Sequence, residues 1–198
     1  MKITGQKFYR INGGSTQLEG VHSDVVMPDR YAYLKMGERD IDNAMPWDKI
    51  DPADYSTWHS NTNFTKAIES SKNRIAQNAQ FKLIEDNAKW IDVKNKENTY
   101  SLNIKNFKAT QEQVETEGKK YKPISDYKNN LVFKSLPYEE LEMKSDATLK
   151  EKREAWHQAL SKDVYVEEAL NVLDDLQVKG VVRNSATTKI KRDKLVKS

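Results

Sequence analysis

The sequence predicts a mainly α-helical domain preceded by a short β-hairpin-like segment, and three observations lead to this prediction. From residue 63 onward, apolar residues recur at the 3.6-residue period of amphipathic helices. Residues 2–27, in contrast, are rich in β-forming and aromatic residues and contain a strong turn signal. Charged residues reach 32% against 37% hydrophobic ones, which favours helices with wide solvated faces or a large partner surface.

The β-forming part is predicted as two short strands joined by a turn and a loop. Residues 2–11 form the first strand and residues 21–27 the second, which ends at Pro28. Residues 12–14, Asn-Gly-Gly, tolerate positive φ and predict the turn. Two strands alone are marginally stable in water, so residues 1–30 are predicted to belong to a larger sheet. Residues 31–62 are turn-prone and aromatic and are predicted to be irregular.

The helical part, residues 63–180, is predicted to contain five helices. The first follows cap candidates at residues 61–63, and the third runs from Asn103 to about Glu117 and stops at Gly118. The residues on the apolar stripes of the first two helices are Phe64, Ala67, Ile68, Ser71 and Ile75, then Phe81, Ile84, Ala88 and Ile91.

The last two helices are predicted over residues 148–160 and 164–178, the second capped by Asp163 and terminated by Gly180. The side chains expected to point inward are Ala155, Trp156 and Leu160 in one helix and Val166, Ala169, Leu170, Leu173 and Leu176 in the other. No firm structure is predicted for residues 119–137.

The charge distribution and the residue types exclude several classes of function. The net charge is +3, from 33 basic and 30 acidic residues. The two signs are interleaved along most of the chain. The exception is the basic tail, residues 181–198, which we interpret as a flexible terminus rather than a nucleic-acid site. No cysteine is present, which excludes disulfides and thiolate catalysis. Residues 1–7 lack the apolar region of a signal peptide, and no segment approaches the roughly 20 apolar residues of a membrane span.

Candidate catalytic residues were considered in the glycine turn and among the three histidines. Residues 13–16, Gly-Gly-Ser-Thr, match neither a nucleophile elbow nor a phosphate-binding loop, so a β-turn is the favoured interpretation. The histidines, His22, His59 and His157, do not have the spacing of a helical metal site. His22 and Asp24 could share a strand face as metal ligands, but a polar strand edge is favoured, and His157 is expected to be exposed.

The paired carboxylates are predicted to lie on solvated helix faces. These pairs are Glu139–Glu140, Glu167–Glu168 and Asp174–Asp175. General acid–base catalysis requires a carboxyl group with a raised pKa in a cleft, and nothing in the sequence indicates one. The residues by themselves therefore predict a non-catalytic domain with no catalytic, cofactor-binding or metal-ligating residue.

Three segments resemble motifs of tail-specific proteases, the C-terminal processing peptidases. Residues 7–28, KFYRINGGSTQLEGVHSDVVMP, resemble the end of the protease core, with its Gly-Val-x-x-Asp-hydrophobic-hydrophobic-x-Pro element. Residues 42–51, DNAMPWDKID, resemble a segment of the long bacterial members. The stretch from residue 163 to residue 174 resembles the final helix of the family, with Val164 where proline is usual.

The resemblance implies a C-terminal portion of a periplasmic serine protease whose PDZ domain recognises an apolar C-terminal tail. In that family the serine nucleophile and the lysine base precede the Lys-Phe-Tyr-Arg strand. Lys7 and Ser15 therefore match non-catalytic positions, and this chain is expected to be an inactive scaffold and cavity wall. The implied partners are protein substrates, the rest of the protease and a lipoprotein adaptor. The side chains of Phe8, Tyr9 and Ile11 are expected either to fold back onto the helices or to mediate self-association.

Two other functions are alternatives to the protease scaffold. One is a stand-alone helical binding or adaptor module that carries the motifs, and the other is an unrelated small enzyme that uses His22 or His59. The order of the three motifs along the chain favours the scaffold.

Overall fold

The computed structural model describes residues 5–57 and 62–176, and the structural statements that follow concern these residues. They contain the 3₁₀-helices Glu38–Asp40 and Lys119–Ile124 and a series of α-helices: α1 Phe64–Gln77, α2 Ala79–Lys96, α3 Ile104–Gly118, α4 Pro137–Ser145, α5 Ala147–Leu160 and α6 Val164–Leu176. The prediction of a mainly α fold is confirmed. The predicted end of the last helix, Gly180, and His59 lie outside the described residues.

Short polar side chains determine where most of the helices begin. Asn63 accepts a hydrogen bond from the Lys66 N–H at 3.0 Å, and Asn78 does the same for Gln80 at 2.8 Å. The residues before α3, α5 and α6 also accept a hydrogen bond from an N–H group of the first turn; they are Asn103, Asp146 and Asp163, respectively. Each oxygen satisfies an N–H group that the helix itself leaves without a partner, and the caps predicted at residues 61–63 and at Asp163 are confirmed.

The core lies where α1, α2 and α6 meet. Its buried apolar residues are Ile75, Phe81, Ile84 and Val164, with Val25, Met27, Ile124 and Tyr127 packed against them. Phe81 is 1% exposed and meets the Tyr165 ring edge-on at 5.6 Å between centroids. Burial of one such side chain contributes roughly 1.5–3 kcal/mol, and the predicted stripe of α2 supplies two of the four core residues, Phe81 and Ile84.

The residues before α1 hold only isolated β-bridges within the described part of the chain, between Tyr9 and Ser15 and between Gly14 and Lys49. The two continuous strands predicted from composition are therefore reduced to a tight hairpin-like turn, and residues 21–27 are irregular. A strand needs a neighbouring strand to complete its hydrogen bonds, and only residues 46–53 lie beside this turn.

Two helices bury different faces from those predicted. Trp156 on α5 is 51% exposed, because α5 packs on α4 through an ion pair between Arg153 and Glu139. On α6, Leu173 is 56% exposed, whereas Glu168 is only 4% exposed. Glu168 faces α1 because it meets basic and hydroxyl groups there, so the helix is rotated away from its most apolar face.

Two elements between residues 119 and 145 were not predicted. The 3₁₀-helix Lys119–Ile124 contains Pro123, and α4 has Pro137 in its first turn. The N–H of Leu136, the residue before α4, is bound by the side chain of Glu139 at 3.0 Å. None of the described helices combines the length and apolarity that a bilayer crossing requires.

Candidate functional site

The three motif segments, far apart in sequence, pack together in the structure. We call residues 7–28 the hairpin segment and residues 42–51 the proline–tryptophan segment. The N–H of Ile50 donates to the Gly13 carbonyl at 2.9 Å, and the N–H of Ser15 donates to the Asp48 carbonyl at 3.0 Å. The indole N–H of Trp47 donates to the Ser15 carbonyl at 2.9 Å. The proline–tryptophan segment thus supplies hydrogen-bond partners for the backbone of the hairpin segment.

Gly13 is required for this packing. Its φ is +82°, in the left-handed region that favours glycine, and a Cβ atom there would lie 2.0 Å from the Ile50 carbonyl oxygen. The Asn-Gly-Gly turn identified in the sequence therefore serves both the turn and a close backbone approach.

Polar side chains at the start of the hairpin segment meet one carboxylate. Lys7 Nζ lies 3.1 Å from Asp48 and donates to the Pro46 carbonyl at 2.8 Å. The Tyr9 hydroxyl donates to Asp48 at 3.0 Å. Loss of hydration and the adjacent Asp48 carboxylate raise the pKa of the Tyr9 phenol.

Ser15 has a structural position. It is 4% exposed, and its hydroxyl oxygen accepts a hydrogen bond from the Gln17 N–H at 2.9 Å. Such a bond is typical of a serine that closes a turn. Lys7 and Ser15 both hold the hairpin segment in its conformation.

The third motif reaches the hairpin segment from α6. The Tyr165 hydroxyl donates to the Pro28 carbonyl at 2.7 Å, while Val25 and Met27 pack against the core that contains Val164. The end of the hairpin segment is thereby fixed to the helices, and all three motif segments form one connected unit.

This unit carries several large apolar side chains that are exposed. Phe8 is 74% and Ile11 is 58% exposed, so neither folds back onto the helices. The other large exposed apolar residues of the same unit are Val21, Val26, Trp47, Ile50, Tyr165, Leu170 and Leu173. A concentration of exposed apolar side chains on one structural unit is typical of an interaction surface.

A buried polar cluster joins α1 to α6. Glu168 accepts hydrogen bonds from Ser71 Oγ at 2.6 Å and from Arg74 at 2.8–3.1 Å, and Arg74 also binds Asp175 at 2.7 Å. Hydrogen bonding to Glu168 is the main cause that raises the pKa of the Arg74 guanidinium. The prediction that the Glu167–Glu168 pair is solvated is therefore wrong for Glu168, because a cation and a hydroxyl compensate its burial.

The sequence did not identify this cluster, although a signal for it exists. Ser71 and Arg74 are three residues apart and so lie on one face of α1, next to the apolar stripe. Their partner on α6, Glu168, interrupts a mostly apolar stretch of sequence. A single sequence, however, does not reveal which helices pair.

The histidines do not come together in the described residues. His22 is exposed and lies 3.5 Å from Glu19, and His157 is partly buried on α5. The expectation that His157 is exposed is only partly met. Asp24 is also exposed, and because residues 21–27 form no strand, the polar strand edge predicted for His22 and Asp24 is absent.

Comparison with known proteins finds similarity to one family model and to curated relatives. The family model described as the C-terminal domain of tail specific protease matches residues 31–177. A tail-specific protease of Haemophilus influenzae is 36% identical over 113 residues, which are 55% of this chain and 16% of that protein. The aligned region is thus a small part of the relative's length.

Proposed function

Since the chain belongs to the family of C-terminal domains of tail-specific proteases, we propose that it is the scaffold and cavity-wall part of a serine endopeptidase. The complete enzyme would degrade proteins from an apolar C-terminus. Its serine nucleophile and lysine base would lie on polypeptide that precedes the hairpin segment. We assign no catalytic, cofactor-binding or metal-ligating residue to this chain.

One observation carries the proposal: the hairpin segment is hydrogen-bonded to the proline–tryptophan segment and still presents Phe8 and Ile11 to solvent. A segment that is fixed by Trp47 and by the close approach of Gly13 to Ile50 loses little entropy when it docks. Its apolar face therefore suits a permanent partner, which we propose is the sheet of the protease core. In this proposal residues 1–30 complete the sheet, 31–62 connect, 63–180 form the helical domain and 181–198 are a basic tail.

The finer features of the complete enzyme also belong to the proposal. They are a PDZ domain that binds the substrate tail, a periplasmic location and a lipoprotein adaptor. The protein substrates would pass beside the helical domain, whose interleaved charges suit contact with many different unfolded chains.

The proposal is tested by binding and cleavage in parallel. The chain is mixed with a tail-specific protease that lacks its own C-terminal domain, and binding is measured by calorimetry. We expect binding that weakens at least about tenfold when Phe8 and Ile11 are both changed to Glu, since two exposed apolar contacts become desolvated charges. The chain alone is expected not to cleave an unstructured protein with an apolar C-terminus.

A matched control distinguishes the scaffold from a stand-alone binding module. Leu102, before α3, is fully exposed and belongs to an apolar group with Tyr100, Ile104 and Phe107 that an adaptor could use. Leu102→Glu should leave binding to the truncated protease unchanged. If Leu102→Glu abolished binding and the hairpin variant did not, or if the pure chain cleaved peptide bonds, the scaffold proposal would be wrong.

A further inference from the structure

An open groove of about 630 Å³ lies between α4, α5 and the segment that precedes α4. Met143 and Ala147 supply apolar lining, while Lys134 and Ser135 belong to the preceding segment. The groove is separate from the hairpin segment and is not used in the proposed docking to a protease core.

One wall of the groove is an unpaired stretch of backbone. Residues 131–136 contain no helix or turn, and their burial alternates: residues 131, 133 and 135 are half-buried, and residues 132, 134 and 136 are exposed. This alternation is typical of a β-strand. Nevertheless, no backbone hydrogen bond reaches residues 132–135 within the described chain. The flanking N–H groups are satisfied locally, that of Leu131 by Asn129 and that of Leu136 by Glu139.

A buried hydroxyl in the same wall also lacks a partner. The Ser135 Oγ atom is inaccessible and makes no hydrogen bond in the described residues. Unpaired backbone groups on an extended segment form a template for another strand, and β-strand addition is a recurrent mode of peptide recognition.

The charge of the lining indicates what kind of peptide would fit. Four cations line the groove against two carboxylates, Glu140 and Glu154. Arg153 is paired with Glu139 and Lys150 lies 3.9 Å from Glu154. The other two cations, Lys134 and Lys144, make no ion pair within the described part of the chain. Their ammonium groups favour carboxylates.

We propose that this groove binds an extended, acidic peptide segment of a protein partner, which pairs with the backbone of residues 132–135 and places its carboxylates at Lys134 and Lys144. Alternate side chains of such a peptide point to opposite faces, so the apolar set contacts Met143 and Ala147 while the acidic set reaches the exposed Lys134 and Lys144. The chain's own residues 181–198 are basic and do not match this charge.

The test uses the full chain and a short peptide of alternating valine and glutamate, acetylated, amidated and fluorescently labelled. Fluorescence anisotropy should show saturable binding. Changing Lys134 and Lys144 together to Ala should weaken it by about tenfold or more, as expected for the loss of charge-assisted contacts. Lys152→Ala, on the same helix as Lys150 but outside the lining, is the matched control and should not change the affinity.

Two further measurements separate strand pairing from simple charge attraction. The same peptide with methylated alternate backbone nitrogens keeps its charge but cannot pair, so it should lose most of its affinity. Hydrogen exchange should show slower exchange of the amides of residues 132–135 when the unmodified peptide is present.

The proposal is overturned if the acidic peptide does not bind, if a valine–lysine peptide binds equally well, or if binding leaves these amides unprotected. None of these outcomes bears on the hairpin segment, so failure here is distinguishable from failure of the proposed scaffold function.

Discussion

Arg74 on α1 holds Glu168 on α6 through both carboxylate oxygens, at 2.8 and 3.1 Å. Ser71 adds a third donor to the same carboxylate. The pair links residues 94 positions apart and is the main polar connection between the first and last described α-helices. Glu168 is almost fully buried, whereas Arg74 keeps a third of its side chain exposed.

Replacing Glu168 by Ala is expected to destabilise the fold by roughly 2–3 kcal/mol, because the half-buried Arg74 guanidinium loses its main partner and the buried Ser71 hydroxyl loses its acceptor. Asp175→Ala, which removes the more exposed partner of Arg74, should cost less than about 1 kcal/mol. Chemical denaturation followed by circular dichroism measures both. Equal losses of stability in the two variants would contradict the importance assigned to the buried carboxylate.

Gly13→Ala is expected to be more destabilising than Gly20→Ala. Both glycines have positive φ, but a Cβ at Gly13 would collide with the Ile50 carbonyl at 2.0 Å and a Cβ at Gly20 meets nothing within 4 Å. The conformational cost common to both is about 1 kcal/mol, and the collision adds to it at Gly13 alone. Thermal unfolding of the two variants provides the comparison, and an indistinguishable pair of midpoints would show that the turn can separate from Ile50 without cost.

Tyr127 is expected to make stability fall with rising pH in the alkaline range. Burial and the hydrogen bond to Glu167 raise the pKa of Tyr127 to about 12, above the unfolded value of about 10. Between these values the folded chain keeps a proton that the unfolded chain loses, so the contribution is complete below pH 10 and is lost as the pH approaches 12. The loss is on the order of 2 kcal/mol.

Tyr127→Phe is the corresponding variant. It should make the alkaline decline in unfolding free energy shallower, although the raised pKa values of Tyr121 and Tyr165 will leave part of it. Denaturation curves recorded at several alkaline pH values measure this slope. An unchanged slope would show that Tyr127 does not titrate differently in the folded state.

The isolated chain is expected to self-associate through Phe8 and Ile11, because their exposed area lacks the sheet to which the motif belongs in the proposed enzyme. Sedimentation velocity over a range of concentrations should show reversible association, and a double change of Phe8 and Ile11 to Ser should shift it toward the monomer. Leu102→Ser serves as control, because Leu102 is an exposed apolar residue outside the hairpin segment. A strictly monomeric parent chain would contradict the expectation.

The order of most helices and the family were determined by the sequence alone. Periodicity located α1, α2, α3, α5 and α6 to within a few residues, helped by cap signals at residues 61–63 and at Asp163, because these signals act between neighbours in the chain. The family followed from three ordered motifs, and the stripe of Phe81, Ile84 and Ala88 was correctly placed in the core.

Only the tertiary structure decided which faces meet. The burial of Glu168, the exposure of Trp156 and the clamp between Gly13 and Ile50 all depend on groups that lie far away in sequence. A periodic pattern indicates that a helix has an apolar stripe but not whether an adjacent carboxylate will find a guanidinium on another helix. Since that compensation determines the free energy of burying a charge, pairing between distant residues, rather than local pattern, set the final orientation of α6.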